Sequence, residues 1–224
     1  MRFLPRHCPA CNERQRRESE AQAEADRLHE LREQWKGICP PLYRDTDPMR
    51  LPEAPLQKVL AWRYGPQGLL IHGDTGSGKT RAVFQLLRRL HFDEGRKIIR
   101  FGATDFGAEC QKQFSPKNQP VNSAGGYGGY GGYGGYGRDG CDGVEWIRGL
   151  VMADVVFLDD LGKDRLTDRV ESALFGLVEG RMSNLRPIIV TTNFIGDMLA
   201  DKMTGDRGRP FVRRLRESCQ DIAF

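Results

Sequence analysis

The chain has 224 residues, 34 of them basic and 30 acidic, with a net charge of +4 and 39% hydrophobic content. That is enough for one substantial α/β domain plus a small appendage. No run approaches the roughly 18 to 20 apolar residues of a membrane span, and MRFLPRHCPAC lacks the apolar region of a secretory signal, so a cytoplasmic protein with reduced cysteines is expected.

Residues 12–36 hold no Gly or Pro and many helix formers, which predicts a charged helix. Leu28, Leu31 and Trp35 recur at i, i+3 and i+7, a stripe too narrow for a core and suited to a docking face or a loosely held arm. Five prolines punctuate residues 37–55, marking a connecting segment, and helix resumes at about 55–64 with Leu56, Val59, Leu60 and Trp62.

GLLIH, 68–72, reads as a strand, and RAVFQLLRRLHF as a helix with Val83, Leu86, Leu87 and Leu90 on one face. Between them stands GDTGSGKT: Gly73, Asp74, Thr75, Gly76, Ser77, Gly78, Lys79 and Thr80. The pattern G-x-x-x-x-G-K-[ST] in a strand–loop–helix context is a phosphate loop. The glycines let backbone N–H groups turn toward phosphate, and the helix N-terminus adds partial positive charge. In such a loop Lys79 would reach the β- and γ-phosphates of a nucleotide, and the Thr80 hydroxyl would ligate Mg²⁺.

KIIRFGA, 97–103, reads as a strand, TDFGAECQKQF as a helix or loop, and residues 142–153 as a helix carrying Trp146, Ile147, Leu150 and Val151. Between these elements lies SAGGYGGYGGYGGYGRDG, with four copies of Gly-Gly-Tyr. It cannot supply a packed core. It is either a surface insertion without a role or a tether whose tyrosines stack on single-stranded bases.

VVFLDD, 155–160, is an apolar strand ending in two acids, about 80 residues beyond the loop, in the manner of a Walker B element. Asp159 would hold Mg²⁺, directly or through water, so that its charge is met by the cation. Asp160 would orient and polarise the attacking water, or else cap the following segment. A helix follows over 167–184, with Thr167 as N-cap and Val170, Leu174, Leu177 and Val178 buried, and RPIIVTTN reads as another strand. The alternation of strands and helices implies a parallel sheet covered by helices.

LDDLGKDRLTDRVESALFGLVEGR, RPIIVTTN, GICPPLYRDTD, GLLIHGDTGSGKT and RPFVRRLRE together resemble the AAA+ ATPases of the bacterial helicase-loader and transposase-helper group, the DnaC/IstB type. In that group Asp-Asp-Leu-Gly is the usual Walker B form, although many other ATPases carry Glu at the second position. The resemblance implies an α/β AAA+ P-loop NTPase fold, a parallel sheet flanked by helices and preceded by a short helical arm. The implied organisation is an arm over 1–36, a linker over 37–54, and an ATPase domain over 55–224 with the Gly-Tyr insertion at about 115–140. It makes Asn193 a sensor near the γ-phosphate and Arg214 a finger acting on a neighbour's ATP. Arg213 stays open for that role, and the whole cluster can also be a solvated basic face.

The implied activity is Mg²⁺-dependent ATP hydrolysis, used to load or remodel a replicative helicase on single-stranded DNA. A transposase helper and an ATP-switched adaptor with little turnover are the alternatives. The implied partners are a helicase or transposase, single-stranded DNA, and further copies of the chain with ATP at their interfaces. The chain ends ten residues after Arg214, so the segment that holds a second sensing arginine in this group is expected to be short or absent. Some members carry an N-terminal zinc module. Here Cys8 and Cys11, with His7 and distant Cys39, fall short of a clear four-ligand set, so two ordinary cysteines are expected in place of bound zinc.

Overall fold

A computed structural model of the chain describes residues 9–114, 143–163 and 166–224. His7, Cys8, the side chain of Cys11 and the Gly-Tyr repeat lie outside the described residues. The chain divides into two units, Met1–Asp45 and Thr46–Phe224.

The first unit is dominated by α1 (Pro9–Ile38), charged on almost every side. Pairs such as Arg14–Glu18 and Arg17–Glu13 join successive turns, each worth only about 0.3–0.5 kcal/mol at such exposure. Of the expected stripe, Leu28 is exposed and Trp35 is buried. The helix ends in a specific cap: Arg44, from the short α2 (Pro41–Arg44), donates to the Lys36 and Cys39 carbonyls, each at 2.9 Å. A side-chain donor thereby meets carbonyls that the end of a helix leaves unpaired.

The second unit is a five-stranded, all-parallel sheet of order β2-β3-β4-β1-β5. Its strands are β1 (Gly68–His72), β2 (Ile98–Gly102), β3 (Val155–Leu161), β4 (Ile188–Thr192) and β5 (Cys219–Ala223). β1, β3 and β4 read as nearly continuous apolar runs because both faces of a parallel sheet are covered. Val156 and Leu158 point into a core shared with α5 (Ala103–Gln113), α6 (Gly143–Met152), α7 (Asp168–Ser183) and α9 (Gly208–Ser218). On the other face Phe157 meets Phe84 edge-on at 5.7 Å, where α4 (Lys79–Phe92) lies, itself packed against α3 (Glu53–Ala61). Val83, Leu86, Leu87 and Leu90 are all fully buried on α4, and Val170, Leu174, Leu177 and Val178 on α7.

Two expectations change. Thr167 occupies the N-cap position of α7, but its hydroxyl makes no capping bond. Asp168 and Glu171 in the first turn supply the negative charge that a helix N-terminus favours. Residues 219–223, where the sequence predicts no element, form β5 beside β1. Its burial, one buried residue at each side of two exposed ones, carries no strand signal of its own.

One buried cation ties the layers together. Arg181 on α7 is 0% exposed, and among the described residues it faces no carboxylate within hydrogen-bond reach. Its guanidinium donates to the carbonyls of Leu150, Val151, Ala153 and Asp154 at the end of α6, and to that of Pro187 before β4. Burial pushes its pKa down to about 10, still far above neutrality, so the charge is retained. Arg181→Ala should cost about 3–5 kcal/mol in urea denaturation, because several buried carbonyls lose their donor together. A loss below about 1 kcal/mol, the scale of one ordinary hydrogen bond, would show that the carbonyls find other partners.

Candidate nucleotide site

The site gathers at the carboxyl ends of β1, β3 and β4, where open parallel sheets bind ligands. Directly after β1, Gly73, Gly76 and Gly78 take φ of 148°, 82° and 100°. These are conformations that side chains resist, which is why glycine recurs here. A Cβ at Gly78 would also approach the Leu51 side chain to 2.7 Å. α4 starts at Lys79, so the loop delivers the lysine and Thr80 at a helix N-terminus.

Lys79 is only 4% exposed. Its ammonium donates to the Gly73 carbonyl at 3.0 Å, the Asp74 carbonyl at 2.7 Å and Asn193 Oδ1 at 2.8 Å. Asn193 follows β4, so this bond joins loop and sensor position across 114 residues. Burial lowers the Lys79 pKa, and the carboxylates of Asp160, Asp74 and Asp159 oppose that in decreasing order.

Asp159 is 5% exposed. Its Oδ1 accepts from the Thr80 hydroxyl at 2.7 Å and the Thr191 hydroxyl at 2.8 Å, and its Oδ2 faces Arg100 at 3.3 Å. Asp160 has φ of +58°, rare for a residue with a side chain. The pairing explains it: Leu158 faces Val190 and Leu161 faces Thr192, so β3 carries one extra residue there. Such a bulge re-aims side chains next to a site. The Asp160 N–H donates to Thr191 Oγ1 at 2.9 Å, so one buried hydroxyl holds both acids. Its neighbour Thr192 donates to the Leu161 carbonyl at 2.7 Å and accepts from the Phe194 N–H, shaping the turn that presents Asn193.

The residues fit a magnesium ion. Thr80 and Asp159 offer hard oxygens 2.7 Å apart beside the phosphate loop. Mg²⁺ needs no dedicated protein cage, since it keeps waters and takes phosphate oxygens. Among the described residues no group of three or more His, Cys, Asp or Glu side chains is placed to hold a metal ion.

Arg214 lies apart from these groups. It pairs with Glu179 on α7 of the same chain at 2.8 Å, and its guanidinium lies 5.8 Å from the Phe175 ring centre. Arg213 is more exposed, with Glu217 at 3.5 Å. Two site residues escaped the sequence reading, Thr191 and Arg100. Each is a polar residue within a mainly apolar strand, IIVTT and IIRFG, which marks the position but not its partner.

A parallel sheet of this order, with a phosphate loop after β1 and paired acids near the end of β3, has the AAA+ P-loop fold, the fold seen in the DnaC helicase loader. No protein-family model matches the chain, and no curated protein does. Solved structures match in fold. The DnaC helicase loader is similar at TM-score 0.55 and 19% identity, over 75% of this chain and 85% of that one. DnaI is similar at TM-score 0.52 and 18% identity, over 75% and 77% respectively. The replication initiator DnaA, bound to AMPPCP and single-stranded DNA, is similar at TM-score 0.52 and 18% identity over 76% of this chain. This chain spans only 44% of that DnaA chain's length.

Thr191→Val keeps the shape of the side chain and removes the hydroxyl. It should cost about 1–3 kcal/mol in urea denaturation, because Asp159 loses a donor and the Asp160 N–H an acceptor. Thr191→Ser should restore most of that. Equal losses for both variants would make the methyl group, not the hydroxyl, the important part.

Proposed function

We propose that the chain is a Mg²⁺-dependent ATPase that loads or remodels a replicative helicase on single-stranded DNA. The observation that carries the ATPase reading is the convergence of Lys79, Thr80, Asp159, Asp160 and Asn193, from three separate segments, on one edge of the sheet. The helicase reading draws support from the likeness to the DnaC loader, and the contact with single-stranded DNA from the DnaA complex. In this reading α1 is the arm that meets the helicase.

Lys79 exchanges its loop carbonyls for the β- and γ-phosphates of ATP. Its ammonium then neutralises charge that builds on the γ-phosphate oxygens. Thr80 and Asp159 hold Mg²⁺, which when bound offsets the charge on the β- and γ-phosphates. Asp160, held in its left-handed conformation by Thr191, orients the attacking water and accepts its proton. Asn193, released by Lys79 when phosphate arrives, fixes the water's position. Arg214 leaves Glu179 and reaches the ATP of an adjoining copy.

Lys79→Ala should weaken ATP binding at least about tenfold, the loss of a charge-assisted contact, and abolish turnover. Asp160→Asn should bind Mg·ATP normally yet hydrolyse it about 100-fold more slowly, whereas Asp159→Asn should lose Mg²⁺-dependent binding as well. Fluorescent-nucleotide titrations with and without Mg²⁺, beside phosphate release, separate these outcomes. Identical behaviour of the two aspartate variants would refute the division of labour between them. Capture of a replicative helicase by the full chain, and stimulation of turnover by single-stranded DNA, test the loader reading. Capture of a transposase would replace it.

Arg214→Ala should bind ATP as a monomer but hydrolyse it poorly. Mixing it with Lys79→Ala protein should recover part of the activity, since a composite site then joins an intact loop to an intact arginine. Assembly without recovery at any ratio would remove Arg214 from the site and direct attention to Arg213.

A further inference from the structure

β2 is apolar apart from Arg100, and its register sets Arg100 beside Phe157 and Gly102 beside Asp159. Arg100 and Gly102 share a face of the strand because strand side chains alternate. From there the guanidinium reaches between two carboxylates. One terminal nitrogen lies 3.3 Å from Asp159 Oδ2, and the other lies 4.0 Å from Asp105 Oδ2. Gly102 keeps the gap open: a Cβ there would stand 3.0 Å from Asp105 Oδ2 and 3.8 Å from the guanidinium.

The two oxygens of Asp159 are held differently. Oδ1 takes two short hydroxyl bonds, from Thr80 and Thr191. Among the described residues, Oδ2 has a single long contact, to Arg100, whose Nε is buried without a partner. Strong arginine–carboxylate pairs are bidentate and close to about 2.8 Å. This one is neither, and a second, mostly exposed carboxylate waits beside it on the first turn of α5. The cation therefore neutralises a buried acid without being locked to it.

We propose that Arg100 is an exchangeable counterion of Asp159. Arg100 neutralises the buried carboxylate while no metal ion is bound. It swings to Asp105 when Asp159 engages one, so that metal occupancy is felt at the start of α5. The inference rests on the Mg·ATP reading of the site and deepens it. Its physical basis is that a buried acid needs a positive partner in both states, and that two cations held on the two oxygens of one carboxylate repel each other. α5 runs directly from β2 and packs against α7, so a shift of Asp105 has a route into the helical layer.

The test uses the full chain saturated with AMPPCP and titrated with Mn²⁺, with free Mn²⁺ followed by electron paramagnetic resonance. Arg100→Gln should bind Mn²⁺ about fivefold more tightly, because the competing cation is gone. Its melting temperature should drop without metal and return toward wild type with Mn²⁺ and AMPPCP. Arg100→Lys, which keeps the charge, should stay near wild type in both readouts. Asp105→Asn, at an exposed position, should weaken Mn²⁺ binding by a similar factor, since Arg100 then has no second seat.

Unchanged Mn²⁺ affinity in Arg100→Gln, with a stability loss that metal does not reverse, would reduce the pair to a structural contact. An unaffected Asp105→Asn would overturn the handover to α5. If Arg100→Gln fails to fold, the Lys and Asn variants decide the matter. Wild-type protein that takes up neither AMPPCP nor Mn²⁺ would instead overturn the nucleotide reading, and this inference with it.

Discussion

A carboxylate buried to 5% exposure at the end of a central strand is the constraint around which the rest of the site is arranged. An unpaired charge in that position would cost several kcal/mol, so the fold has to surround Asp159 with donors and a cation. It does so from three directions: Thr80 from the phosphate loop, Thr191 from β4 and Arg100 from β2. Each donor lies on a different element, so the acid also fixes the loop, the bulge and the β2 edge relative to one another. The charge that makes Asp159 suited to a cation is thus what assembles its surroundings.

The second acid depends on the first. An extra residue in β3 turns Asp160 out of register, and the same threonine hydroxyl that donates to Asp159 accepts from the Asp160 backbone. A left-handed backbone at a non-glycine residue stores strain, and such strain persists only where neighbours over-determine it. Here the neighbours are the bulge and a fully buried Thr191. Lys79 completes the arrangement, its ammonium held by the loop's own carbonyls and by Asn193. All of these are bonds that phosphate oxygens can replace.

Away from the site, the helical layer solves a similar problem with opposite sign. Arg181 is a buried cation met by carbonyls rather than by an acid, and it fastens the end of α6 and the approach to β4 onto α7. Glu171, also fully buried on α7, accepts from the Thr204 N–H and hydroxyl and so anchors the segment leading to α9. α9 then turns Phe211, Val212 and Leu215 inward, leaves Arg209, Arg213 and Arg216 exposed, and holds Arg214 half-buried at its margin. The arginine row is a consequence of that amphipathic packing, and Glu179 across from Arg214 decides where that guanidinium rests.

Local chemistry made much of this legible in the residues alone. A phosphate loop needs glycines, a lysine and a threonine at set spacing. A doubly covered strand needs an apolar run, and two acids closing such a run need a reason. Those requirements act over a few residues, so GDTGSGKT, VVFLDD and the buried faces of α4 and α7 could be read directly. The roles of Thr191 and Arg100 could not be assigned that way, because each depends on register between strands far apart in the chain. β5 was invisible for the same reason: CQDIA has no strand pattern of its own and is ordered by β1, with His72 2.9 Å from Asp221 across the pair. The sequence by itself determined which side chains could meet phosphate and metal. The tertiary structure alone decided which oxygen of Asp159 faces which partner, because that choice depends on neighbours that only the sheet brings together.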